Sequence, residues 1–471
     1  MPLEVVHIAS EFAPFAKAGG LGDATSSLCK ALAKTGHNVS IFLPKYDLFS
    51  GKMDKLDKSF SVKENGVEIP CTLWLSEFGG TRIFLIDANH PKKYFQRKTI
   101  YGEQDDTERF LFFCKAVAKV IKQREQLPDV LHLHDWPAAA LPLFLQENKP
   151  EKLVLTIHNL AHQGQCSPAA LENLGYTKKE DSLLDDPIFS DTINLLKGAI
   201  YAADAVTTVS PTYMEEIQTA EGGRGLEHAL ADNKKKLTGI LNGVDTDYWN
   251  PATDPLIHSH YTAEMPFHAK FDNKRELQQQ LGLAPEHKPL VVSVTRLAPQ
   301  KGTDLIEYGI EKTASLGGQF ALLGSTPDPE IKQQFIKLKK HYEGFGNVVI
   351  LLDYDEPLSH LFFAASDMLL MPSIFEPCGL TQMIALRYGS IPLVRETGGL
   401  KDTIFDPERS DEPNGFTFSI PDNKGVASVL ERSFALYHDK PLEWQALVTR
   451  AMEIDVSWKT SAKKYLEIYK S

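Results

Sequence analysis

The chain has 471 residues and a mass of 52.5 kDa, which exceeds one ordinary hydrophobic core and predicts two domains. Hydrophobic residues make up 42% and charged residues 24%, as in globular proteins, and the formal net charge of −12 disfavours nucleic acid as a partner. No apolar run approaches the ~18 residues of a membrane span, MPLEVVHIAS lacks the features of a secretion signal, and the five scattered cysteines form no CxxC pair. We therefore expect no membrane partner, and reduced thiols in the cytoplasm.

Short apolar runs alternate with amphipathic stretches along the chain, and the runs predict buried strands. In the first half these runs are LEVVHIA, HNVSIFLP, RIFLID, DVLHLH, KLVLTI, AVTTV and LTGIL. After the turn-rich LNGVDTDYWNP they continue as PLVVSVT, QFALLG, NVVILL, DMLLMP and IPLV. Alternation of strands and helices predicts an α/β fold with a parallel sheet in each half. We predict two doubly wound domains, 1–243 and 244–456, facing across a cleft that the carboxyl ends of the strands line.

The first candidate site is KAGGLGD, Lys17 to Asp23, which follows the first predicted strand. Gly19 and Gly20 let a ligand approach main-chain N–H donors without a Cβ in the way. The start of a helix adds the positive end of its dipole, and Lys17 adds a full charge. The stretch indicates an anion or phosphate site, although neither the P-loop spacing nor GxGxxG is present. The alternative is a glycine-rich turn with a solvated lysine.

The second candidate site is SVTRLAPQKGTDL, in which Arg296 directly follows a predicted strand and Lys301 precedes a helix. Two cations at the carboxyl edge of a sheet suit a diphosphate, because arginine offers a fork of donors and lysine a point charge. The alternative is an exposed basic loop. In an acidic chain the paired cations favour the functional interpretation.

The third candidate site is MPSIFEPCGLTQMIALRYG, where Pro377 and Gly379 turn the chain sharply into a helix. The turn predicts that the N–H groups of Cys378, Gly379 and Leu380 are available to a ligand. Glu376 stands beside them, where a carboxylate can accept hydrogen bonds from sugar hydroxyls. Attraction of a carboxylate to a helix dipole explains the same pattern without any ligand. No histidine pattern supports Cys378 as a nucleophile.

Further polar residues follow predicted strands. His158 comes after KLVLTI and would share a sheet edge with Asp135 and the glycine loop, whereas a lone histidine is more often structural. Asn242 lies in LNGVD between the two halves, and Tyr354 follows NVVILL, where it could stack on a nucleotide base.

Two patterns raise the question of a metal. LHLHDW places His132 and His134 on one face of a strand, and VDTDYW contains Asp245 and Asp247 as D-x-D. Neither pair has a convincing third ligand in the nearby sequence. Hard cations need several oxygen ligands together, so we expect no metal and no other cofactor.

Five motifs occur in order and resemble those of the bacterial glycogen synthases and plant starch synthases. They are Lys17-Ala-Gly-Gly-Leu, His158-Asn-Leu, Leu-Asn242-Gly-Val-Asp, Arg296-Leu-x-x-Gln-Lys301-Gly and Glu376-Pro-Cys-Gly-Leu-Thr. The resemblance extends from about residue 4 to the closing DVSWKTSAKKYLEIYK. It implies the GT-B architecture of two Rossmann-like domains. It also implies retaining transfer of glucose from ADP-glucose, or from UDP-glucose, to the 4-OH end of glycogen or another α-1,4-glucan, without an essential metal.

The resemblance also implies roles for individual residues. Positions facing the donor's diphosphate would be Lys17, Gly19 and Gly20 from the first domain and Arg296 and Lys301 from the second. Glu376 and the N–H groups after it would hold the glucose hydroxyls and, with Thr381, a phosphate. His158 would lie against the sugar at the reaction centre and Tyr354 near the base, with Asn242 in the cleft. Glu11 and Asp135 would lie on the acceptor side, and residues from about 457 would return to the first domain.

The sequence departs from the family pattern in the loop between His158 and Asn194, which looks shortened, and at Ala18. Ile384 stands eight residues after Glu376, so the paired glutamates of sucrose- and trehalose-type relatives are not matched. Two alternatives stay open: a related GT-B transferase that uses another nucleotide sugar or acceptor, and a catalytically silent glucan-binding protein. The oligomeric state is not predicted.

Overall fold

The computed structural model describes residues 1–146, 148–177, 182–353 and 355–471. The chain divides into two compact units, Met1–Gly243 together with Trp458–Ser471, and Val244–Ser457. Within the described ranges, no helix combines the length and the apolar character needed to traverse a bilayer.

The first unit contains a large mixed sheet with helices around it. Its strands are β1 (Glu4–Ile8), β2 (Asn38–Pro44), β3 (Asp54–Glu64), β4 (Val67–Phe78), β5 (Thr81–Ala88), β6 (Val130–His134), β7 (Lys152–Ile157), β8 (Gln165–Cys166), β9 (Ile193–Asn194), β10 (Ala205–Thr208) and β11 (Leu237–Gly239). Its helices are α1 (Gly20–Lys34), α2 (Asp106–Lys122), α3 (Leu141–Leu145), α4 (Pro168–Glu172), α5 (Leu195–Ala202), α6 (Pro211–Glu216), α7 (Ala220–Gly223) and α8 (Glu227–Asp232), to which the carboxyl-terminal helix α17 (Lys459–Lys470) is added.

The strand order of this sheet is β11-β10-β7-β6-β1-β2-β5-β4-β3, while β8 and β9 form a separate antiparallel pair. Pairing is parallel from β11 through β5, as predicted, but β5, β4 and β3 pair antiparallel. The prediction of a wholly parallel sheet is therefore wrong at this edge. The reason is that β3 and β4 follow one another through a two-residue turn, a connection that only antiparallel strands allow.

Helix α17 completes the core of the first unit. Its buried side chains Ala462, Tyr465 and Tyr469 repeat at helical spacing and pack with the core residues of α1, β1 and β6. Tyr465 and Tyr469 are almost fully buried. The end of the chain therefore contributes to the same hydrophobic core as its beginning.

The second unit is built on a parallel sheet in the order β14-β13-β12-β15-β16-β17. Its strands are β12 (Leu290–Arg296), β13 (Gln319–Ser325), β14 (Val348–Leu351), β15 (Met368–Met371), β16 (Ile391–Arg395) and β17 (Phe416–Phe418). Its helices are α9 (Phe267–Leu281), α10 (Thr303–Ser315), α11 (Pro329–His341), α12 (Glu356–Ala365), α13 (Thr381–Arg387), α14 (Gly398–Thr403), α15 (Asn423–Asp439) and α16 (Pro441–Glu453). The strand order reverses between β12 and β15, the position at which doubly wound sheets bind ligands.

Candidate functional site

In the second unit, the segments after β12 and β15 bring Lys301 and Glu376 together. Lys301 Nζ lies 2.5 Å from Glu376 Oε2, and Ser373 Oγ donates a hydrogen bond of 3.0 Å to the same oxygen. The Glu376 side chain is only 7% exposed and that of Lys301 only 17%. The pair is therefore largely buried. The attraction between its two charges is stronger there than it would be at an open surface.

The two segments are held against each other by their main chains. Ile374 N donates to Gln300 O at 2.8 Å, and Gln300 Nε2 donates to Phe375 O at 3.2 Å. Gly302 has φ 69°, and a Cβ there would lie 2.4 Å from Pro372 O. Glycine is needed at this position because both the backbone conformation and the close approach exclude a side chain.

The turn after Glu376 is shaped by further glycines. Gly379 has φ 73°, and Gln382 Nε2 donates to the carbonyls of Cys378 (3.1 Å) and Gly379 (2.9 Å). Helix α13 begins at Thr381, so Cys378, Gly379 and Leu380 come immediately before its first turn. Their N–H groups as ligand donors, and the phosphate role of Thr381, stay predictions.

Two glycines that we did not select from the sequence, Gly398 and Gly399, pack against the turn that follows Glu376. Gly399 N donates to Glu376 O (3.2 Å) and to Pro377 O (3.1 Å), and an added Cβ on Gly398 would lie 2.0 Å from Glu376 O. The sequence contained a signal for them, since Gly398 and Gly399 begin a helix shortly after the apolar run IPLV.

Arg296 and Tyr354 complete the predicted donor residues of this unit. Arg296 is the last residue of β12 and is exposed. It therefore shares the carboxyl edge of the sheet with the segment that carries Lys301. Tyr354 lies outside the described residues, so its proposed contact with the base stays a prediction.

In the first unit, the glycine loop is occupied by a carboxylate of the chain itself. Glu11 Oε2 accepts hydrogen bonds from Ala18 N (2.7 Å) and Gly19 N (2.8 Å), and Glu11 Oε1 accepts one from Tyr101 OH (2.9 Å). Glu11 is 3% exposed. Glu11 therefore already uses the N–H of Gly19, and the contact of the Gly19 and Gly20 backbone with a diphosphate stays a prediction.

The rest of the glycine loop retains features of an anion site. Gly20 is exposed and begins α1, and the first N–H groups of a helix have no partner within it. A Cβ added to Gly19 would meet no atom of the described residues within 4 Å. Lys17 Nζ lies 3.0 Å from Asp23 Oδ1 in a partly exposed ion pair, so the predicted cation is held beside the loop by a carboxylate of the same motif.

Asp135 and His158 meet at the carboxyl edge of β6 and β7. Asp135 has φ 57°, and its Oδ1 accepts hydrogen bonds from His158 N (2.6 Å) and Asn159 N (3.3 Å). Burial raises the pKa of Asp135 to about 7, while the two N–H groups oppose this shift and the charge of Glu11 adds to it. The carboxyl group fixes the start of the His158 segment and titrates near neutrality.

We predict that Asp135→Asn gains stability relative to the wild type as the pH rises from about 4 to about 7. The native carboxyl keeps its proton up to about pH 7, whereas the unfolded carboxyl, with a pKa near 3.8, has already lost it. The wild type therefore loses stability across this window and the amide does not. Asparagine also tolerates positive φ.

The measurement is the midpoint of thermal unfolding of both proteins at the two ends of this pH range. Asp57→Asn, at an exposed position of β3, is the control for a general effect of removing a carboxylate. A difference between Asp135→Asn and the wild type that is the same at both pH values would contradict the assignment.

Three further histidines lie close together in the sheet beside this edge. His7 and His132 are paired in register on β1 and β6, and His134 follows two residues later. These three are fully buried, and their candidate ligand nitrogens lie within 4.8 Å of one another. The sequence had suggested no third ligand for His132 and His134; His7 was missed because it lies on another strand.

Hydrogen bonds already engage most of these ring nitrogens. His134 bonds His7 Nδ1 (2.9 Å) and His158 Nε2 (3.0 Å), while His132 bonds Tyr469 OH (2.8 Å) and Thr156 Oγ1 (2.6 Å). A metal ion would have to displace these bonds. The group therefore fits a hydrogen-bonded network better than a metal centre.

The remaining pattern residues lie near the end of the first unit and the start of the second. Asn242 is 7% exposed, and its Oδ1 has no hydrogen-bond partner among the described residues. An unpaired buried acceptor is unusual and is consistent with a contact to a ligand. Asp245 Oδ1 instead accepts from Asp247 N at 3.1 Å, which makes the D-x-D segment a local turn.

Comparison with known proteins identifies the family. Residues 4–232 match the starch synthase catalytic domain, and residues 274–438 match group 1 of the glycosyl transferases. A glycogen synthase of Protochlamydia amoebophila is 40% identical over 100% of this chain and 99% of its own. The chain belongs to the glycogen and starch synthase family. It is a glycosyltransferase, and the prediction of this family and enzyme class is confirmed.

This glycogen and starch synthase chain is also similar to plant proteins. A probable starch synthase 4 of Arabidopsis thaliana is 44% identical over 99% of this chain, which spans only 47% of that relative. The solved catalytic domain of starch synthase IV from Arabidopsis thaliana, bound to ADP and acarbose, has a TM-score of 0.95, with 100% of this chain and 99% of that one covered. The predicted GT-B fold class is confirmed.

Proposed function

We propose that the chain transfers glucose from ADP-glucose or UDP-glucose to the non-reducing 4-OH of an α-1,4-glucan, with retention of configuration, in glycogen biosynthesis. Membership of the family implies a nucleotide-sugar donor and a glucan acceptor. The observation that carries the proposal is the Lys301–Glu376 pair of 2.5 Å at the strand reversal of the second unit. It combines a cation suited to a phosphate with a carboxylate suited to sugar hydroxyls.

Departure of the leaving group is the difficult step. When the bond between glucose C1 and the diphosphate oxygen breaks, negative charge builds on the diphosphate and positive charge on the sugar. Preorganised cations stabilise that charge, typically by several kcal/mol in a site that excludes water. The ion pair with Glu376 holds Lys301 in place for this role, and Arg296 lies on the same sheet edge. We propose the same role for Lys17 of the first unit, with no metal ion and no other cofactor.

Retention of configuration requires that the incoming hydroxyl reach C1 from the face that the diphosphate leaves. A double displacement needs a carboxylate that is available to attack C1, whereas Glu376 Oε2 is bonded to both Lys301 and Ser373. We therefore infer a front-side route. The C1–diphosphate bond breaks, a bond from the acceptor oxygen to C1 forms, and the hydroxyl proton passes to the departing diphosphate.

The free state of all five cysteines supports a reducing compartment such as the cytoplasm as the place of this reaction. Four of these thiols are buried, and burial raises the pKa of the Cys29 and Cys114 thiols. Such thiols are poor nucleophiles, which agrees with a mechanism that uses none.

The experiment that tests the proposed function is a donor panel. Purified protein is incubated with glycogen and with ADP-, UDP- or GDP-glucose labelled in the sugar, and the label that enters glycogen is counted. We expect incorporation from ADP-glucose or UDP-glucose, in linkages that an α-1,4-specific hydrolase releases. Incorporation from a different donor would favour another GT-B transferase, and binding of glycogen without incorporation would favour a silent glucan-binding protein. Either result would contradict the proposal.

A further inference from the structure

A chain of three imidazole rings runs from the carboxyl end of β7 into the sheet of the first unit. His158 follows the end of β7, and its Nε2 lies 3.0 Å from His134 Nδ1; His134 Nε2 lies 2.9 Å from His7 Nδ1. His134 and His7 have 0% exposure. The rings form a continuous series of hydrogen bonds that ends at His7 Nε2.

The rings are neutral near physiological pH. Burial lowers the pKa of His7 and His158 to about 3 and that of His134 well below its usual value. A neutral imidazole has one N–H and one nitrogen lone pair. Because His134 bonds an imidazole through each nitrogen, it must donate to one neighbour and accept from the other. The three rings therefore share one of only two proton arrangements.

The far end of the chain favours one arrangement. His7 Nε2 is buried and has no hydrogen-bond partner among the described residues. In the first arrangement each ring donates to its neighbour on the side of His7, so His7 Nε2 carries an unpaired N–H. In the second arrangement each ring donates toward His158, so His7 Nε2 has only a lone pair. Buried unpaired N–H groups are the rarer of the two in proteins. The second arrangement runs from His7 Nδ1–H to His134 Nε2 and from His134 Nδ1–H to His158 Nε2, which leaves the proton of His158 on Nδ1.

We propose that His134, at the centre of this chain, is a positioning residue that fixes His158 as its Nδ1–H tautomer, so that His158 offers a hydrogen-bond donor to an oxygen of the substrate. The proposal rests on the proposed function for the presence of a substrate beside His158. The oxygens of the substrate's hydroxyl and phosphate groups accept hydrogen bonds, so a fixed Nδ1–H donor binds them in one orientation. In the other tautomer His158 Nδ1 has only a lone pair and could only accept a hydrogen bond from a hydroxyl.

His132 provides a matched control on the same strand. It is two residues from His134, has the same 0% exposure, and its ring lies tilted against the rings of His7 and His134. Its nitrogens, however, bond Thr156 Oγ1 and Tyr469 OH. Replacing His132 therefore removes a buried imidazole from the same region while leaving the chain to His158 intact.

The test is nitrogen NMR of protein labelled with ¹⁵N-histidine, which shows which ring nitrogen carries the proton. We expect the wild type to show a single Nδ1–H tautomer at His158. In His134→Phe, His158 Nε2 loses its donor, so its ring should exchange between tautomers and the turnover number should fall roughly tenfold with a smaller change in donor KM. In His132→Phe, the Nδ1–H tautomer of His158 should persist.

An Nε2–H tautomer of His158 in the wild type would overturn the proposal, and this measurement needs no variant to fold. A single Nδ1–H tautomer that persists in His134→Phe would overturn it as well, since any loss of activity would then reflect packing alone. A wild type with the Nδ1–H tautomer, lost in His134→Phe, would support the proposal even if the donor panel showed no glucose transfer. In that case only the proposed function would fail.

Discussion

Replacing Lys301 by glutamine is expected to lower the turnover number for glucose transfer by about 10²- to 10³-fold, the usual effect of removing one preorganised group that stabilises developing charge. The ammonium group is held 2.5 Å from Glu376 on the sheet edge proposed for the diphosphate. Glutamine retains a hydrogen-bond donor but no charge. The measurement is the rate of glucose incorporation at saturating donor and glycogen.

Two companion variants separate catalysis from stability. Lys301→Gln alone leaves a buried Glu376 without its cation, which is destabilising, so the double variant Lys301→Gln/Glu376→Gln should recover stability without recovering turnover. Lys312→Gln removes the lysine of another 2.5 Å ion pair, with Glu431 on a more exposed surface, and should leave turnover unchanged. Turnover of Lys301→Gln close to that of the wild type would remove this residue from the mechanism.

Gly398→Ala is expected to reduce turnover by about 10²-fold or more, through displacement of the electrostatic groups around Glu376. The added Cβ would lie 2.0 Å from Glu376 O and 3.2 Å from Pro377 O, so the main chain of the Glu376 turn must move. A misplacement of about 1 Å can cost about 10²-fold in rate. The measurement combines turnover with a crystal structure of the variant.

The control for this variant is Gly282→Ala. Like Gly398, whose φ is 43°, Gly282 has a positive φ, of 70°, but a Cβ there would meet no atom of the described residues within 4 Å. It therefore tests the backbone strain of alanine without a collision, and it should lower stability while turnover is maintained. Equal turnover in Gly398→Ala and Gly282→Ala would contradict the importance of the Glu376 turn.

The strands that carry the site could be predicted from the sequence because they are buried and apolar. The runs LEVVHIA, DVLHLH, KLVLTI, PLVVSVT and DMLLMP correspond to β1, β6, β7, β12 and β15. The strand β3 was missed because most of its residues are polar and exposed or half-buried. The strand β4 was missed because its buried residues Ile69, Cys71 and Leu73 alternate with exposed or half-buried ones and form no apolar run. A search for apolar runs finds strands inside a sheet and misses those at its solvent-facing edge.

The contacts within the site could be predicted only in part. Motifs at the ends of neighbouring strands indicated which residues cluster, but Lys301 and Glu376 are 75 positions apart in sequence. Their ion pair depends on the adjacency of β12 and β15, which no local pattern reveals. The hydrogen bonds from the glycine loop to Glu11 likewise depend on the path of the chain, and no local pattern predicted them.

Side-chain cations are proposed to stabilise the leaving diphosphate without a divalent metal. The most direct test is the rate of glucose incorporation into glycogen by the wild type before and after exhaustive treatment with EDTA, with metal content measured in both samples. We predict an unchanged rate in metal-depleted protein. Loss of transfer on chelation, restored by added Mg²⁺ or Mn²⁺, would contradict the proposed roles of Lys17, Arg296 and Lys301.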